Sequence, residues 1–178
     1  MKKLQIGIIG SAADLNFGND AGEFAKKIGE LIAKSGNIIL FGAEKEHSSL
    51  STIAAVESKK YGGLTVGITS GKNKEVYGGF QPDVLITSGL GIGGGREFAL
   101  ALSCDVVIAI CGGAGTLNEM AVAYQANIPI VTVTKFGGWA KKLANTFLDD
   151  RKRVKCIEAT TPEQAVEEAI KAGRENHN

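Results

Sequence analysis

The chain has 178 residues, the length of one domain, and it can bury a core without disulfide or metal support. Hydrophobic residues make up 44% and charged residues 22%, which excludes a disordered chain, a collagen and a coiled coil. A net charge of +1 predicts neither nucleic acid nor a membrane as partner. The three cysteines are widely spaced and fit neither a disulfide framework nor a zinc pattern, so we predict a cytoplasmic protein without a metal site.

Apolar runs alternate with helical patterns from one end of the chain to the other. The predicted strands are 4–10, 37–42, 64–68, 83–88, 105–110, 128–133 and 154–159. The predicted helices are 20–35, 49–61, 96–103, 117–126, 138–148 and a last helix that opens at 161–164 and stops at Gly173. The strands are apolar on both faces, which is typical of a parallel sheet covered by helices on both sides. We therefore predict a Rossmann-like, doubly wound α/β fold, with one domain over 1–173 and a frayed tail at 174–178.

The best candidate for a ligand site is the turn CGGAGT, which joins the strand 105–110 to the next helix. Glycines let backbone N–H groups converge on an anion, and the N-terminus of a helix adds a partial positive charge. We predict that this turn holds a phosphate group through Gly112, Gly113, Gly115 and Thr116. A tight turn without a ligand is the alternative.

Two charged residues stand near the predicted starts of helices. Arg96 opens a helix, where a cation is unfavourable unless an anion lies nearby, and the alternative is a surface arginine over apolar neighbours. Glu119 either forms a capping box with Thr116 or acts as a carboxylate on a bound sugar phosphate. The glycine cluster 89–95 also matches G-x-G-x-x-G, but Asp105 stands at the start of its strand, so we interpret that match as chance.

The stretch CGGAGTLNE resembles the P-G-G-x-G-T-x-x-E signature of the Lonely Guy-like proteins, also called lysine decarboxylase-like proteins. The arginine that precedes the glutamate in this family matches Arg96, 23 positions before Glu119, and Gly10 and Ser11 match the first turn of the family. The segment FGGWAKKLANTFLD resembles the molybdenum-cofactor-carrier branch of the superfamily more than the cytokinin-activating branch.

The resemblance implies a Rossmann-like homodimer that binds a phosphorylated nucleotide or a pterin and has no resident cofactor. In the Lonely Guy enzymes the matching arginine and glutamate hydrolyse the N-glycosidic bond of nucleoside 5′-monophosphates. Carriers bind a pterin and need not catalyse a reaction. The resemblance thus implies catalytic roles for Arg96 and Glu119 and phosphate contacts for Gly10 and Ser11, while the arginine–glutamate spacing occurs in both branches.

Two stretches depart from the family pattern. Cys111 stands in place of the signature proline, and residues 42–50 read GAEKEHSSL where the family has a second glycine-rich turn. We expect His47, within this stretch, to be a solvated loop histidine. An apolar helix face is expected to contribute to the dimer, together with a tryptophan: Ala121, Tyr124, Gln125 and Trp139.

Overall fold

A computed structural model describes residues 2–12, 16–91 and 95–176. Its seven strands form one parallel sheet in the order β4-β3-β2-β1-β5-β6-β7. The strands are β1 Gln5–Gly10, β2 Ile38–Gly42, β3 Leu64–Thr69, β4 Val84–Thr87, β5 Val106–Ile110, β6 Ile130–Val133 and β7 Ile157–Ala159. The helices are α1 Asn19–Lys34, α2 Leu50–Lys60, α3 Arg96–Leu102, α4 Ala114–Gln125, α5 Gly138–Leu143 and α6 Pro162–Glu175. The predicted Rossmann-like fold is confirmed.

The centre of the sheet is buried on both faces. Ile8 of β1 packs into the cluster formed with α1, α2 and α6, whereas its neighbour Ile9 packs into the cluster formed with α3, α4 and α5. Side chains along a strand point alternately to the two faces, so both kinds of position must be apolar. This two-sided burial explains the unbroken apolar runs of the sequence. Within the described ranges, no helix is both long and apolar enough to cross a membrane.

Several predicted boundaries are wrong, and local backbone geometry explains some of them. The helix α5 ends at Leu143 instead of 148, and Asn145 follows it with a positive φ of 58°. The strand β7 starts at Ile157 instead of 154. The helix α6 continues through Gly173 to Glu175, because Gly173 packs against Leu4 and Val106 of the core instead of ending the helix in a left-handed turn.

The helix cap at the start of α6 is the capping pair that the sequence predicts, with one difference. The Thr161 hydroxyl accepts a hydrogen bond from the Gln164 N–H at 3.2 Å. The Gln164 side chain reaches back to the N–H of Thr160 at 2.9 Å, one residue before the expected partner.

Close contact between α1 and α2 depends on one glycine. A Cβ added at Gly29 would lie 2.0 Å from the carbonyl oxygen of Ala54, so the backbones of the two helices meet there without room for a side chain. Gly22 lies two turns earlier on α1, and a Cβ there would meet only Ile53, at 3.8 Å. The two glycines occupy one helix but have opposite environments.

Alanine at these two positions should therefore change stability in opposite directions. Gly29→Ala should lower the free energy of unfolding by about 1–3 kcal/mol, the usual cost of overpacking, because α2 must move away. Gly22→Ala should raise it by about 0.5–1 kcal/mol, since alanine is the better helix former. Urea denaturation of both variants measures this difference, and equal midpoints would contradict the close contact.

Candidate functional site

A cleft of about 360 Å³ opens at the carboxyl ends of the central strands, next to the β1–β5 pair. The chain runs outward from β1 to β2 on one side and reaches β5 on the other, so the strand order reverses at this point. Ligands of doubly wound sheets bind at such a reversal. Residues from the first turns of α2, α3 and α4 line the cleft, which places three helix N-termini around it.

The glycine-rich turn places the start of α4 at the cleft. Gly113 is the N-cap residue, and among the described residues no side chain caps the helix. The first N–H groups of a helix have no acceptor within the helix, so those of Ala114, Gly115 and Thr116 are available to a ligand. Gly115 lines the cleft, and a Cβ there would meet no atom within 4 Å. The predicted Gly113, Gly115 and Thr116 therefore lie together at one wall.

Ser11 and Gly112 do not line the cleft, but they hold the backbone of this wall in place. The Gly112 N–H donates to the Ser11 hydroxyl at 2.9 Å, which ties the ends of β1 and β5 together. Gly112 has a φ of 98°, and a Cβ there would lie 2.5 Å from Thr116. Gly10 does line the cleft, and a Cβ on it would lie 2.6 Å from the carbonyl oxygen of Ile110. These three residues have structural reasons for their identity that need no ligand.

The cysteine that replaces the signature proline has a left-handed backbone. Cys111 has a φ of 58°, whereas a proline ring holds φ near about −65°. The carbonyl groups of Cys111 and Gly112 then accept hydrogen bonds from the N–H groups of Ala140 and Trp139, at 2.9 and 3.0 Å. In this protein the turn is thus joined to α5 by a backbone that a proline could not adopt.

Arg96 is buried, with 8% of its surface exposed, so the interpretation as a surface arginine is wrong. Its guanidinium forms an ion pair with Glu44 through Nη1 and contacts Glu97 at 3.3 Å through Nη2. A Cβ added at Gly42 would lie 3.1 Å from Nη1, so the guanidinium rests against the backbone at the end of β2. The residue is held at the cleft by two carboxylates.

Of the two alternatives for Glu119, the capping box with Thr116 is wrong. The helix begins at Ala114, three residues earlier than predicted, so Thr116 lies inside the first turn and not at the N-cap. Glu119 is 6% exposed and lines the cleft. No hydrogen bond or ion pair holds its side chain within the part of the chain that the structure describes.

The protonation state of Glu119 follows from this environment. Burial raises the pKa of the Glu119 carboxyl to about 8, against an opposing effect of the Arg96 charge, and Glu97 raises it further. The carboxyl is therefore mostly protonated at neutral pH. A neutral carboxylic acid donates a hydrogen bond, which a carboxylate cannot do.

Besides His47, three lining residues come from the stretch 42–50 that departs from the family pattern, and a fourth follows it: Gly42, Glu44 and Ser49, then Ser51. None was predicted as a site residue. Ser49 is the N-cap of α2 and accepts from the Thr52 N–H at 3.1 Å. Their position directly after β2, at the carboxyl end of a predicted strand, was the available signal. His47 is exposed, as expected of a loop histidine, and it also lines the cleft.

The helix face expected to contribute to a dimer is interior at one residue, since Tyr124 is buried. Ala121 and Trp139 are partly buried, and Gln125 is exposed. Tyr124 is 2% exposed, and its hydroxyl donates to Asp149 at 2.6 Å within the same chain. Trp139 is partly buried against the cluster of α3, α4 and α5, with the Lys142 ammonium 4.5 Å from the centre of its ring. Trp139 does not line the cleft.

Two further features lie away from the cleft. Asp105 accepts a hydrogen bond from the Gln5 N–H at 2.7 Å, at the start of β1 and so at the opposite edge of the sheet, which agrees with a chance match to the dinucleotide fingerprint. Gly93 and Gly94 of that match lie outside the described residues.

Among the residues that the structure describes, no group of three metal-ligating side chains could hold a metal ion.

Comparison with known proteins agrees with the geometry. Residues 3–166 match the model of the SLOG cluster4 family. The chain belongs to this family. It is 32% identical to an uncharacterized protein of Archaeoglobus fulgidus over 125 aligned residues. The alignment covers 70% of this chain and 76% of that protein.

Solved structures extend the likeness over nearly the whole chain. The molybdenum cofactor binding protein of Rippkaea orientalis superposes with a TM-score of 0.78 at 30% identity, covering 97% of this chain and 98% of that one. The molybdenum cofactor carrier protein of Chlamydomonas reinhardtii superposes with a TM-score of 0.79 at 26% identity, covering 96% of this chain and 98% of that one. A structural genomics target shares the fold with a TM-score of 0.83 at 24% identity, covering 96% and 99%. The SLOG protein therefore has a Lonely Guy-like Rossmann fold near the molybdenum-cofactor-carrier branch.

The raised pKa of Glu119 predicts how stability depends on pH. Between about pH 4.5 and 8 the native state holds a proton that the unfolded chain has released, so the free energy of unfolding should fall as pH rises through this window. Glu119→Gln removes this effect. The free energy of unfolding of Glu119→Gln, relative to that of the wild type, should therefore increase by up to about 1.4 kcal/mol per pH unit across this window.

Urea denaturation of both proteins across this window measures the slope. Glu167→Gln, at an exposed position of α6, is the control and should keep the wild-type slope. Parallel curves for the wild type and Glu119→Gln would show that the Glu119 carboxyl is already ionised in the folded protein.

Proposed function

We propose that the cleft binds a phosphorylated pterin of the molybdenum-cofactor class and that the protein carries this ligand without transforming it. The observation that carries the proposal is that the N-terminus of α4, which no described side chain caps, lies in the same cleft as a protonated Glu119. The helix N-terminus suits a phosphate group. A neutral carboxyl suits hydrogen bonding to a polar ring and is the wrong form for a base.

The relatives support the same ligand class. Two of the similar structures are a molybdenum cofactor binding protein and a molybdenum cofactor carrier protein. A phosphate on the N–H groups of Gly113, Gly115 and Thr116 would place the remainder of the ligand toward Arg96 and Glu119, which line the same cleft. A phosphorylated nucleotide fits the same arrangement of charge.

Hydrolysis of nucleoside 5′-monophosphates is the second candidate. It is favoured by one observation, that Arg96 and Glu119 line one cleft beside the phosphate-binding turn. In that reaction Glu119 would have to ionise, either to face a positive sugar carbon or to take a proton from water. The site would then work better as pH approaches about 8.

A ligand that binds only the folded protein should raise its melting temperature. We expect such a rise with a phosphorylated pterin, and Gly115→Val should abolish it, because Gly115 lines the cleft and a Cβ there points into open space, with no atom within 4 Å. Gln125→Val, at the exposed far end of α4, is the control and should keep the rise. No shift of the wild type with phosphorylated pterins, AMP or GMP would refute ligand binding.

The carrier and the hydrolase differ in whether free base appears. We expect the wild type to bind AMP or GMP without releasing base at any pH between about 6 and 9, which chromatography of the mixture detects. For a hydrolase, release should rise toward about pH 8, and Glu119→Gln should reduce it by at least about 100-fold, the usual loss for an acid or base group. Base release by the wild type would reject the carrier.

We also propose a homodimer, supported by an exposed apolar face. Val84 and Ile86 of β4 are each 46% exposed, and they pair in register with Val66 and Ile68 of β3. These two β3 residues belong to the apolar cluster that contains Leu100 of α3. They therefore lie on the same side of the sheet as α3, whose Phe98 and Leu102 are 48% and 56% exposed. Exposed apolar side chains on one side of a sheet are typical of a surface that contacts another protein chain.

Light scattering at micromolar concentration should give twice the 18.6 kDa mass of the chain. The double substitution Phe98→Glu and Leu102→Glu should give a folded monomer, because it places two charges in the interface. Phe147→Glu, at an exposed site after α5, should leave the dimer intact. A monomeric wild type would remove the proposal.

A further inference from the structure

The two partners in the ion pair at the cleft are not equally buried. The Arg96 side chain is 10% exposed and rests against Gly42, whereas the Glu44 side chain is 23% exposed. The Glu97 carboxylate on the other side of Arg96 is 1% exposed. Of the two carboxylates on Arg96, only that of Glu44 has an open path to solvent.

The backbone of Glu44 is fixed while its side chain is not enclosed. Its carbonyl oxygen accepts from the Tyr77 N–H at 2.7 Å, and the next residue, Lys45, forms an ion pair with Glu75 at 2.6 Å. A change in partner for Arg96 thus requires rotation of one glutamate side chain and no movement of the loop.

Arg96 also has a hydrogen-bond donor that no described residue uses. Its Nε is buried and has no hydrogen-bond partner within the described residues. A guanidinium carries five N–H donors, and the two carboxylates take a contact at Nη1 and at Nη2 only. An anion that entered the cleft could therefore be bound at Arg96 in place of Glu44.

We propose that Glu44 determines which anions the cleft accepts, because its carboxylate occupies Arg96 and must be displaced by the anionic group of the ligand. This inference rests on the proposed binding of an anionic ligand. A ligand can bind the Arg96 guanidinium only if its anionic group interacts with Arg96 more favourably than the Glu44 carboxylate does. Glu44 thereby weakens the binding of small anions in general and leaves the site to ligands with further contacts along the cleft.

Two substitutions at Glu44 separate this competition from simple repulsion. Glu44→Gln removes the charge, and Glu44→Asp keeps the charge but shortens the side chain by one methylene, away from Arg96. Both should tighten binding of AMP by at least about fivefold in isothermal titration calorimetry, within the usual range for coupled sites. Glu46→Gln, at an exposed position of the same loop, should bind AMP as the wild type does, and adenosine should bind equally to all four proteins.

The outcomes distinguish this proposal from the function on which it rests. If the wild type binds AMP and neither Glu44 variant binds it more tightly, the role of Glu44 is refuted while ligand binding stands. Tighter binding by Glu44→Gln alone indicates repulsion and also refutes the competition. Binding of AMP by the Glu44 variants but not by the wild type supports it. Absence of binding in every protein, with AMP, with inorganic phosphate and with phosphorylated pterins, overturns both proposals.

Discussion

Burial of a parallel sheet on both faces is the constraint on which the rest of this structure depends. Parallel strands can only be joined by crossovers, and here the crossovers include the helices that cover the two faces. Every strand therefore ends at the same edge of the sheet, and the helices that follow begin there. The cleft exists because the strand order reverses at this edge. The helix N-termini that the connectivity brings together there add partial positive charges.

Small residues let the backbone close tightly around that edge. The hydrogen bond from Gly112 to Ser11 joins β1 to β5, and Gly10 admits the carbonyl of Ile110. Neither contact needs a ligand. The same residues that resemble a phosphate-binding signature thus also satisfy the packing of the turn, while Gly115, whose missing side chain faces open space, has no packing reason to be glycine.

The cleft contains buried ionisable side chains. Arg96 lies between Glu44 and Glu97, and Glu119 is buried without a hydrogen bond within the described residues. Burying ionisable groups costs free energy unless they are paired, and Glu119 avoids part of that cost by keeping its proton. Buried ionisable groups with shifted pKa values are common at functional sites, where the chemistry requires them even though they lower stability.

The order of the elements, the parallel sheet and the glycine-rich turn before α4 could be predicted from the sequence, because apolar periodicity and glycine before a helix act locally. The sequence also determined which residues stand near the carboxyl ends of strands, including Arg96 and Glu119. Only the tertiary structure decided their state: that Arg96 is paired with Glu44, 52 positions away, and that burial keeps Glu119 protonated. It also placed Tyr124 in the interior. Pairing, burial and pKa depend on contacts between segments distant in the chain, and no local pattern records those contacts.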